Sequence, residues 1–278
     1  MSTNIHYFTM VLLAVLAGLM VSEPVSPVEG PEPLTGETRI EARYSSSILI
    51  FKVGEITLSA LLEDESYSAN THVEAAGLAA LFTDFDIRAE VSGVRGPSGT
   101  HPDHYSHIER TGDKVRAVDM SYDQQLANVD VDPPFGSLGL PPATRDHKTG
   151  TVDPMSALFL LSEMTALSNE DVCSGQIPVF DGKSRYDLRL EAEGYQHVRT
   201  RGWRGEALIC QVWYEPIAGY DPEDYPSQEE LSHPLTVWLA PFQQGQIHIP
   251  VRLHTRAGFG GVTIQVTQIE IQEGELPN

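Results

Sequence analysis

The sequence has few cationic residues. Only 18 Lys and Arg residues stand against 39 Asp and Glu residues, which gives a formal net charge of -21. A surface this negative repels phosphate backbones and anionic lipid headgroups. We therefore expect no nucleic-acid partner and no electrostatic docking on a membrane.

Nucleotide-binding and nucleophile motifs are also missing. The chain contains no phosphate-binding P-loop, no dinucleotide fingerprint and no G-x-S-x-G elbow, and no strand-helix-strand rhythm runs through it. These absences argue against a doubly wound nucleotide-binding fold and against a serine hydrolase. We expect no cofactor.

Cysteine is scarce, since only Cys173 and Cys210 occur. In an oxidising compartment an even number of cysteines favours a disulfide, and this one would contribute about 3 to 4 kcal/mol in the chain-entropy model. The alternative is two separate buried thiols, because Cys210 lies in the apolar segment ALICQVWY.

The longest apolar run is close to the N-terminus. The run YFTMVLLAVLAGLMV (7–21) is too short for a comfortable membrane span and suits a secretory signal, although no Lys or Arg precedes it. We predict a signal peptide over 1–22 and no transmembrane domain after its cleavage; a retained N-terminal anchor is the alternative. A flexible Pro/Glu-rich leader (23–37), a single domain (38–272) and a short tail (273–278) would follow.

Most of the remaining chain alternates between apolar and polar residues. Segments 54–63, 84–92 and 246–254 each place aliphatic side chains on one face, while 261–271 changes face near Gln268, as a β-bulge would cause. Many such strands joined by turns predict an all-β, mostly antiparallel sheet that curls into a barrel or β-spiral.

One segment predicts a helix instead. Asp153 is a suitable N-cap and Pro154 suits the first helical position, so we expect a helix over about 154–167. Its side chains are apolar on nearly every side, and such a helix is normally buried. We predict that it plugs the interior of the curved sheet. A shorter helical piece is expected in 75–82.

The charged segment VFDGKSRYDL (179–188) resembles a reactive cluster but is better explained as a hairpin. Asp181-Gly182 is typical of a two-residue type I′ turn. The strand that follows would alternate Arg185, Asp187 and Arg189 on one face, which is typical of a solvated ladder of charges.

The motifs DPMSAL, VFDGKSRYDL, ALICQVWYEPIAGY, VWLAP and PVRLHT occur in this order, with a cysteine after the first. This series resembles a family of exported proteobacterial proteins known only as a domain of unknown function, over about 38–272. The resemblance implies a periplasmic β-barrel or β-spiral, similar in shape to lipoprotein carriers and envelope-integrity proteins. It implies no catalytic residues.

Two functions remain open. In the first, which we favour, a non-enzymatic envelope protein binds a lipid, a lipoprotein or another envelope partner in an apolar cavity. For any one of the candidate residues, a place in the plain core is favoured over a place in the cavity lining. The candidates are Tyr44, Ile48, Leu58, Phe159, Trp213 and Trp238.

The second function is a periplasmic metal-dependent hydrolase. In HPDHYSH (101–107), His101, Asp103 and His107 would share one face of a strand and could supply three metal ligands. The segment follows a Gly-rich loop, however, and surface histidines in loops commonly bind nothing.

Overall fold

The computed structural model describes residues 36–77, 79–81, 84–96, 99–166, 172–257 and 260–274. The predicted signal peptide and all but the last two residues of the predicted leader lie outside these residues. The proposed segment boundaries therefore stay predictions.

The described residues form one sheet of thirteen strands and two α-helices. The helices are α1 (Pro154–Ala166) and α2 (Gln228–Leu231). The strands are β1 (Glu37–Ile48), β2 (Phe51–Leu62), β3 (Ser66–Ala75), β4 (Asp86–Val94), β5 (His101–Thr111), β6 (Lys114–Asp123), β7 (Leu126–Asp132), β8 (Gly175–Phe180), β9 (Arg185–Arg199), β10 (Arg204–Ala218), β11 (Leu235–Phe242), β12 (Ile247–Ala257) and β13 (Gly260–Gly274).

The sheet confirms the predicted fold class. Its order is β7-β6-β5-β4-β3-β2-β1-β13-β12-β11-β10-β9-β8, and neighbouring strands are antiparallel throughout. β1 and β13 are also out of register by one residue next to Arg43 and Tyr44, which leaves Thr267 as the extra residue. The bulge predicted near Gln268 is therefore confirmed, and it keeps Ile264, Val266 and Ile269 on the buried face.

The two edge strands, β7 and β8, are brought together by the segment that precedes α1. Leu126 of β7 forms an antiparallel bridge with Thr149, and Val152 forms a parallel bridge with Val179 of β8. The turn after β8 also packs on β6, because a Cβ at Gly182 would lie 2.6 Å from Val118 Cγ1. The sheet is thus nearly closed into a barrel.

Helix α1 lies inside this barrel, as predicted. Met155 belongs to the core cluster formed mainly by β1–β7, whereas Ala157 and Leu161 belong to the cluster formed by β8–β11. The helix therefore contacts both halves of the rolled sheet. The second predicted helix, in 75–82, is only a 3-10 turn over Ala79–Leu81 in the described residues.

The charged segment 179–188 is a hairpin, as predicted, but its turn lies one residue further along. Asp181 donates its N–H to the carbonyl of Ser184 (3.1 Å), and its carboxylate accepts the N–H groups of Lys183 and Ser184. The central residues are therefore Gly182, at φ 104°, and Lys183. The predicted type I′ turn with Asp181 and Gly182 at its centre was wrong. Asp181 instead occupies the first position of the turn, where its carboxylate accepts two backbone N–H groups.

The charged face of the hairpin forms a ladder of ion pairs, as predicted, but the Arg185 and Asp187 side chains are only 12% and 15% exposed, so this part of the ladder is not solvated. Arg185 pairs with Asp187 at 2.5 Å, and Arg189 Nε lies 2.9 Å from Glu215 Oε1 on the adjacent strand. Lys183 Nζ pairs with Asp221 at 2.7 Å. Each of these charged groups therefore has an oppositely charged partner.

Cys173 and Cys210 form a disulfide, with their Cα atoms 5.8 Å apart. Both residues are fully buried in the cluster that also contains Ala157 and Leu161 of α1. The bond therefore ties the chain that follows the helix to β10. No helix in the described part of the chain is both long enough and apolar enough to cross a bilayer.

Candidate functional site: an apolar pocket beneath the plug helix

The position of α1 is fixed at its first turn. Asp153 is fully buried, and its Oδ1 accepts the N–H groups of Met155 (2.9 Å) and Ser156 (2.8 Å). Ser156 in turn shares a hydrogen bond of 2.7 Å with the hydroxyl of Tyr67 on β3. The N-cap thus joins the helix to the sheet. Burial of the Asp153 carboxyl raises its pKa.

The far part of α1 lies beside a split in the sheet. The ladder between β12 and β13 runs from Arg252 to Ala257, and the preceding part of β12 (247–251) is not paired with β13 in the described residues. Ser162 of α1 reaches this stretch of backbone. Its hydroxyl donates to the carbonyl of His248 (2.6 Å) and accepts the N–H of the same residue (3.2 Å).

A pocket of about 250 Å³ lies between α1, β1–β2 and the split. The lining of the floor comes from β1 and β2 and is mostly aliphatic: Ile40, Tyr44, Ile56, Leu58, Ala60 and Leu62. One wall comes from β12 and β13: Ile247, His248, Ile249, Pro250, Leu253 and Ile264. The helix contributes Met155, Leu158, Phe159 and Ser162, and Thr71 of β3 completes the lining.

Few polar groups reach this pocket. One is His248, whose Nδ1 is buried without a hydrogen-bond partner in the described structure, and burial lowers the pKa of its imidazole. In a neutral imidazole, Nδ1 either donates or accepts one hydrogen bond, depending on the tautomer. The pocket thus suits an apolar molecule that carries at most a small polar group.

Leu158 is an apolar residue left partly open at the edge of the pocket, with 43% of its surface exposed. Beside it, the Phe159 ring packs on Tyr67 with centroids 4.8 Å apart. Within one turn of the helix, Leu158 therefore faces solvent and Phe159 faces the core.

Three of the six predicted lining residues, Tyr44, Leu58 and Phe159, do line the pocket. Ile48 does not, because it lies half-exposed at the far end of β1, next to the turn into β2.

Trp213 and Trp238 also lie outside the pocket. Their strand neighbours Val212 and Val237 occupy the buried positions, so the tryptophans point to the other face of the sheet. The guanidinium groups of Arg189 and Arg252 lie 5.2 and 5.7 Å from their ring centroids. Neither tryptophan lines this pocket, and Trp238 packs instead against the buried cluster that contains Tyr44 and Val251.

The predicted metal ligands do not come together. His101, Asp103 and His107 all lie on β5, but the register with β4 skips Asp103, which is a bulged and exposed residue. His107 faces the interior, where burial lowers its pKa. No group of three potential ligands converges anywhere among the described residues. The bulge broke the alternation on which the metal hypothesis depended.

The wall formed by β12 was missed. The alternation of Ile247, Ile249 and Leu253 indicated a buried strand face, but it did not indicate a split beside that face. Pro250 was the available signal, because proline has no N–H for a ladder and is found mainly on strand edges. It lies within the part of β12 that is unpaired with β13.

The fold and the pocket can be compared with known proteins. The sequence profile of a family described as "Protein of unknown function (DUF3108)" matches residues 40–267. The chain belongs to this family. The resemblance to a family of unknown function is therefore confirmed, and DUF3108 adds no assigned activity.

One solved structure is similar over most of the DUF3108 fold. The crystal structure of a β-barrel-like protein of domain of unknown function DUF1849, from Brucella abortus, superimposes with a TM-score of 0.51 at 10% sequence identity. The match covers 87% of this chain and 99% of that chain. At this identity the likeness shows the fold alone. The comparison with curated proteins gives no match.

Proposed function

We propose that this protein is an exported, periplasmic, non-enzymatic protein that binds the acyl part of a lipid or lipoprotein in the pocket beneath α1. The main support is the pocket itself, because its lining is almost wholly aliphatic and aromatic. A dry cavity of roughly 150 Å³ lined by such side chains already holds benzene. About 250 Å³ has room for a larger apolar group.

The negative charge of the protein limits which polar groups the ligand can carry. The protein carries a net charge of -21, so a free carboxylate or phosphate would be repelled as it approached. His248, with its lowered pKa, adds no fixed positive charge to offset this repulsion. A neutral polar group, such as an ester or an alcohol, fits the pocket better than an anionic one.

Binding can be tested with a neutral apolar dye, N-phenyl-1-naphthylamine, and its displacement by decanol. Leu58→Trp would fill the pocket from its floor, whereas Thr57→Trp adds the same ring to the exposed face of the same strand. We expect saturable binding by the wild type and by Thr57→Trp, and binding weaker by about tenfold or more for Leu58→Trp. Absence of saturable binding by the wild type, or equal affinity of the two variants, would refute the proposal.

Export has its own test. Protein expressed from the full sequence should be recovered in a periplasmic extract with an intact mass that corresponds to cleavage near residues 22–26. Recovery in the cytoplasm with an uncleaved mass would contradict this part of the proposal and leave the pocket test unaffected.

A further inference from the structure

The turn between β1 and β2 is apolar and exposed. Ile48 pairs with Phe51, so Leu49 and Ile50 form a two-residue turn at the end of the hairpin. Ile50 is 87% exposed, Leu49 is 64% exposed and Phe51 is 52% exposed. Single exposed apolar residues are common on protein surfaces, whereas three consecutive large ones on a strongly acidic protein are not.

Turn geometry does not explain this composition. Leu49 has φ 55°, in the left-handed region that Gly, Asn and Asp occupy most readily. A leucine there is conformationally unfavourable and is also exposed to water. Two local preferences are thus broken at one residue, which is typical of positions that serve a function rather than folding.

A fourth apolar side chain lies at the same end of the barrel. Leu81, which is 75% exposed, belongs to the 3-10 turn between β3 and β4. That connection is joined to β2 by the hydrogen bond from the N–H of Ala76 to the carbonyl of Val53 (3.0 Å). We call Leu49, Ile50, Phe51 and Leu81 the apolar apex.

The size of the apolar apex decides between possible partners. A stable protein interface takes about 20 to 30 residues from each side, so four residues on a hairpin end are too few for a dimer or for a partner protein. The strength of membrane binding scales with the apolar area that enters the interface, so four large apolar side chains suit a weak, reversible contact with lipid. A convex hairpin end also suits a soft bilayer better than a rigid surface.

Most of the apolar apex and part of the pocket lie on the same β-hairpin. Tyr44 and Ile56 are paired on β1 and β2, and both line the pocket floor. Tyr44 lies five residues from Leu49, which is about 17 Å along an extended strand. One hairpin therefore carries both the exposed apolar end and the floor of the cavity.

We infer that the apolar apex inserts into the surface of a lipid bilayer, and that the β1–β2 hairpin places the pocket near the lipids. The net charge of -21 makes a zwitterionic surface, which has no net charge, the better partner, because anionic headgroups would repel the rest of the molecule. This inference concerns the bilayer contact and does not require that the pocket hold a ligand.

Flotation with phosphatidylcholine vesicles tests the inference. The sample is the whole protein without its predicted signal peptide. Ile50→Glu places a charge in the apolar apex, and we expect it to lower the partition coefficient by about tenfold or more. Tyr195→Glu is the control, since Tyr195 on β9 is also a large exposed side chain, at 64%, but lies outside the apex. Tyr195→Glu should float like the wild type.

Other outcomes separate the alternatives. Leu58→Trp, which fills the pocket, should float like the wild type even if the pocket proposal fails. Failure of the wild type to float, or equal losses in Ile50→Glu and Tyr195→Glu, would overturn the inference. So would lipid-free self-association, measured by sedimentation velocity, that Ile50→Glu abolishes, because the apex would then be an interface between copies of the chain.

Discussion

Ser162 and His248 connect the plug helix to the sheet where the sheet is split. The Ser162 hydroxyl lies 2.6 Å from the His248 carbonyl oxygen and 3.2 Å from the His248 nitrogen. In a continuous sheet, β13 would supply such partners, but the β12–β13 ladder begins only at Arg252. At this point Ser162 of α1 makes the hydrogen bonds that a neighbouring strand would otherwise make. Because no strand lies there, space is left for the pocket.

Removing this hydroxyl should loosen the helix. We predict that Ser162→Ala lowers the free energy of unfolding by about 1 to 2 kcal/mol, because a partly buried N–H and C=O lose their partner. Ser59→Ala is the control, since its exposed hydrogen bond to Glu41 should contribute less than about 0.5 kcal/mol. Urea denaturation of both variants measures the difference. Equal stabilities would mean that the Ser162 contact does not hold the helix.

The fold could be predicted from the sequence because alternation reports local burial. Strands such as β4 and β13, and the capped helix α1, depend on neighbours in sequence, and all three were predicted close to their observed positions. The pocket depends instead on which strands fail to pair, and no local pattern encodes that. Trp213 and Trp238 show the limit, because aromatic residues are compatible with either face of a strand.

Dependence on strand pairing also explains why the three predicted metal ligands do not come together. Whether His101 and His107 share a face depends on every residue between them pairing regularly, and a single bulge at Asp103 reverses the outcome. Pairing of Cys173 with Cys210 was predictable from the count of two cysteines together with the predicted export to an oxidising compartment. Predictions from composition were therefore more robust than predictions from register.

The disulfide should be a major contributor to stability. Its 37-residue separation predicts a loss of about 3 to 4 kcal/mol in the double variant Cys173→Ala/Cys210→Ala. Alanine is chosen because both sulfurs lie in an apolar cluster, where a serine would add a buried hydroxyl. Urea denaturation of the oxidised wild type and of the double variant gives the value. A mass spectrum of the wild type that shows two free thiols would contradict the bond itself.

The buried N-cap should make stability depend on pH. Because burial raises the pKa of Asp153, the folded protein binds this proton more tightly than the unfolded chain does. The resulting stabilisation is complete below the ordinary pKa of about 3.9 and is lost as the pH rises through the raised, folded-state pKa. We predict that Asp153→Asn, which keeps an N-cap acceptor, loses less stability than the wild type over this rise.

Urea midpoints measured at intervals between about pH 2.5 and pH 8 test this sign. Asp86→Asn is an informative comparison, because the hydrogen bond from His72 lowers the pKa of Asp86. Its removal should change the pH dependence in the opposite direction. An Asp153→Asn curve parallel to that of the wild type would show that this carboxyl does not titrate between the two states.

The apolar apex should trade stability for contact with lipid. Leu49→Asn relieves a leucine at φ 55°, so we predict that stability is kept or rises by up to about 1 kcal/mol. Flotation with phosphatidylcholine vesicles should fall in the same variant, since an exposed apolar side chain is lost. Ile50→Asn separates the two effects, because Ile50 is not at positive φ. It should float less well without any gain in stability, and a loss of stability in Leu49→Asn would show that the leucine is there for folding.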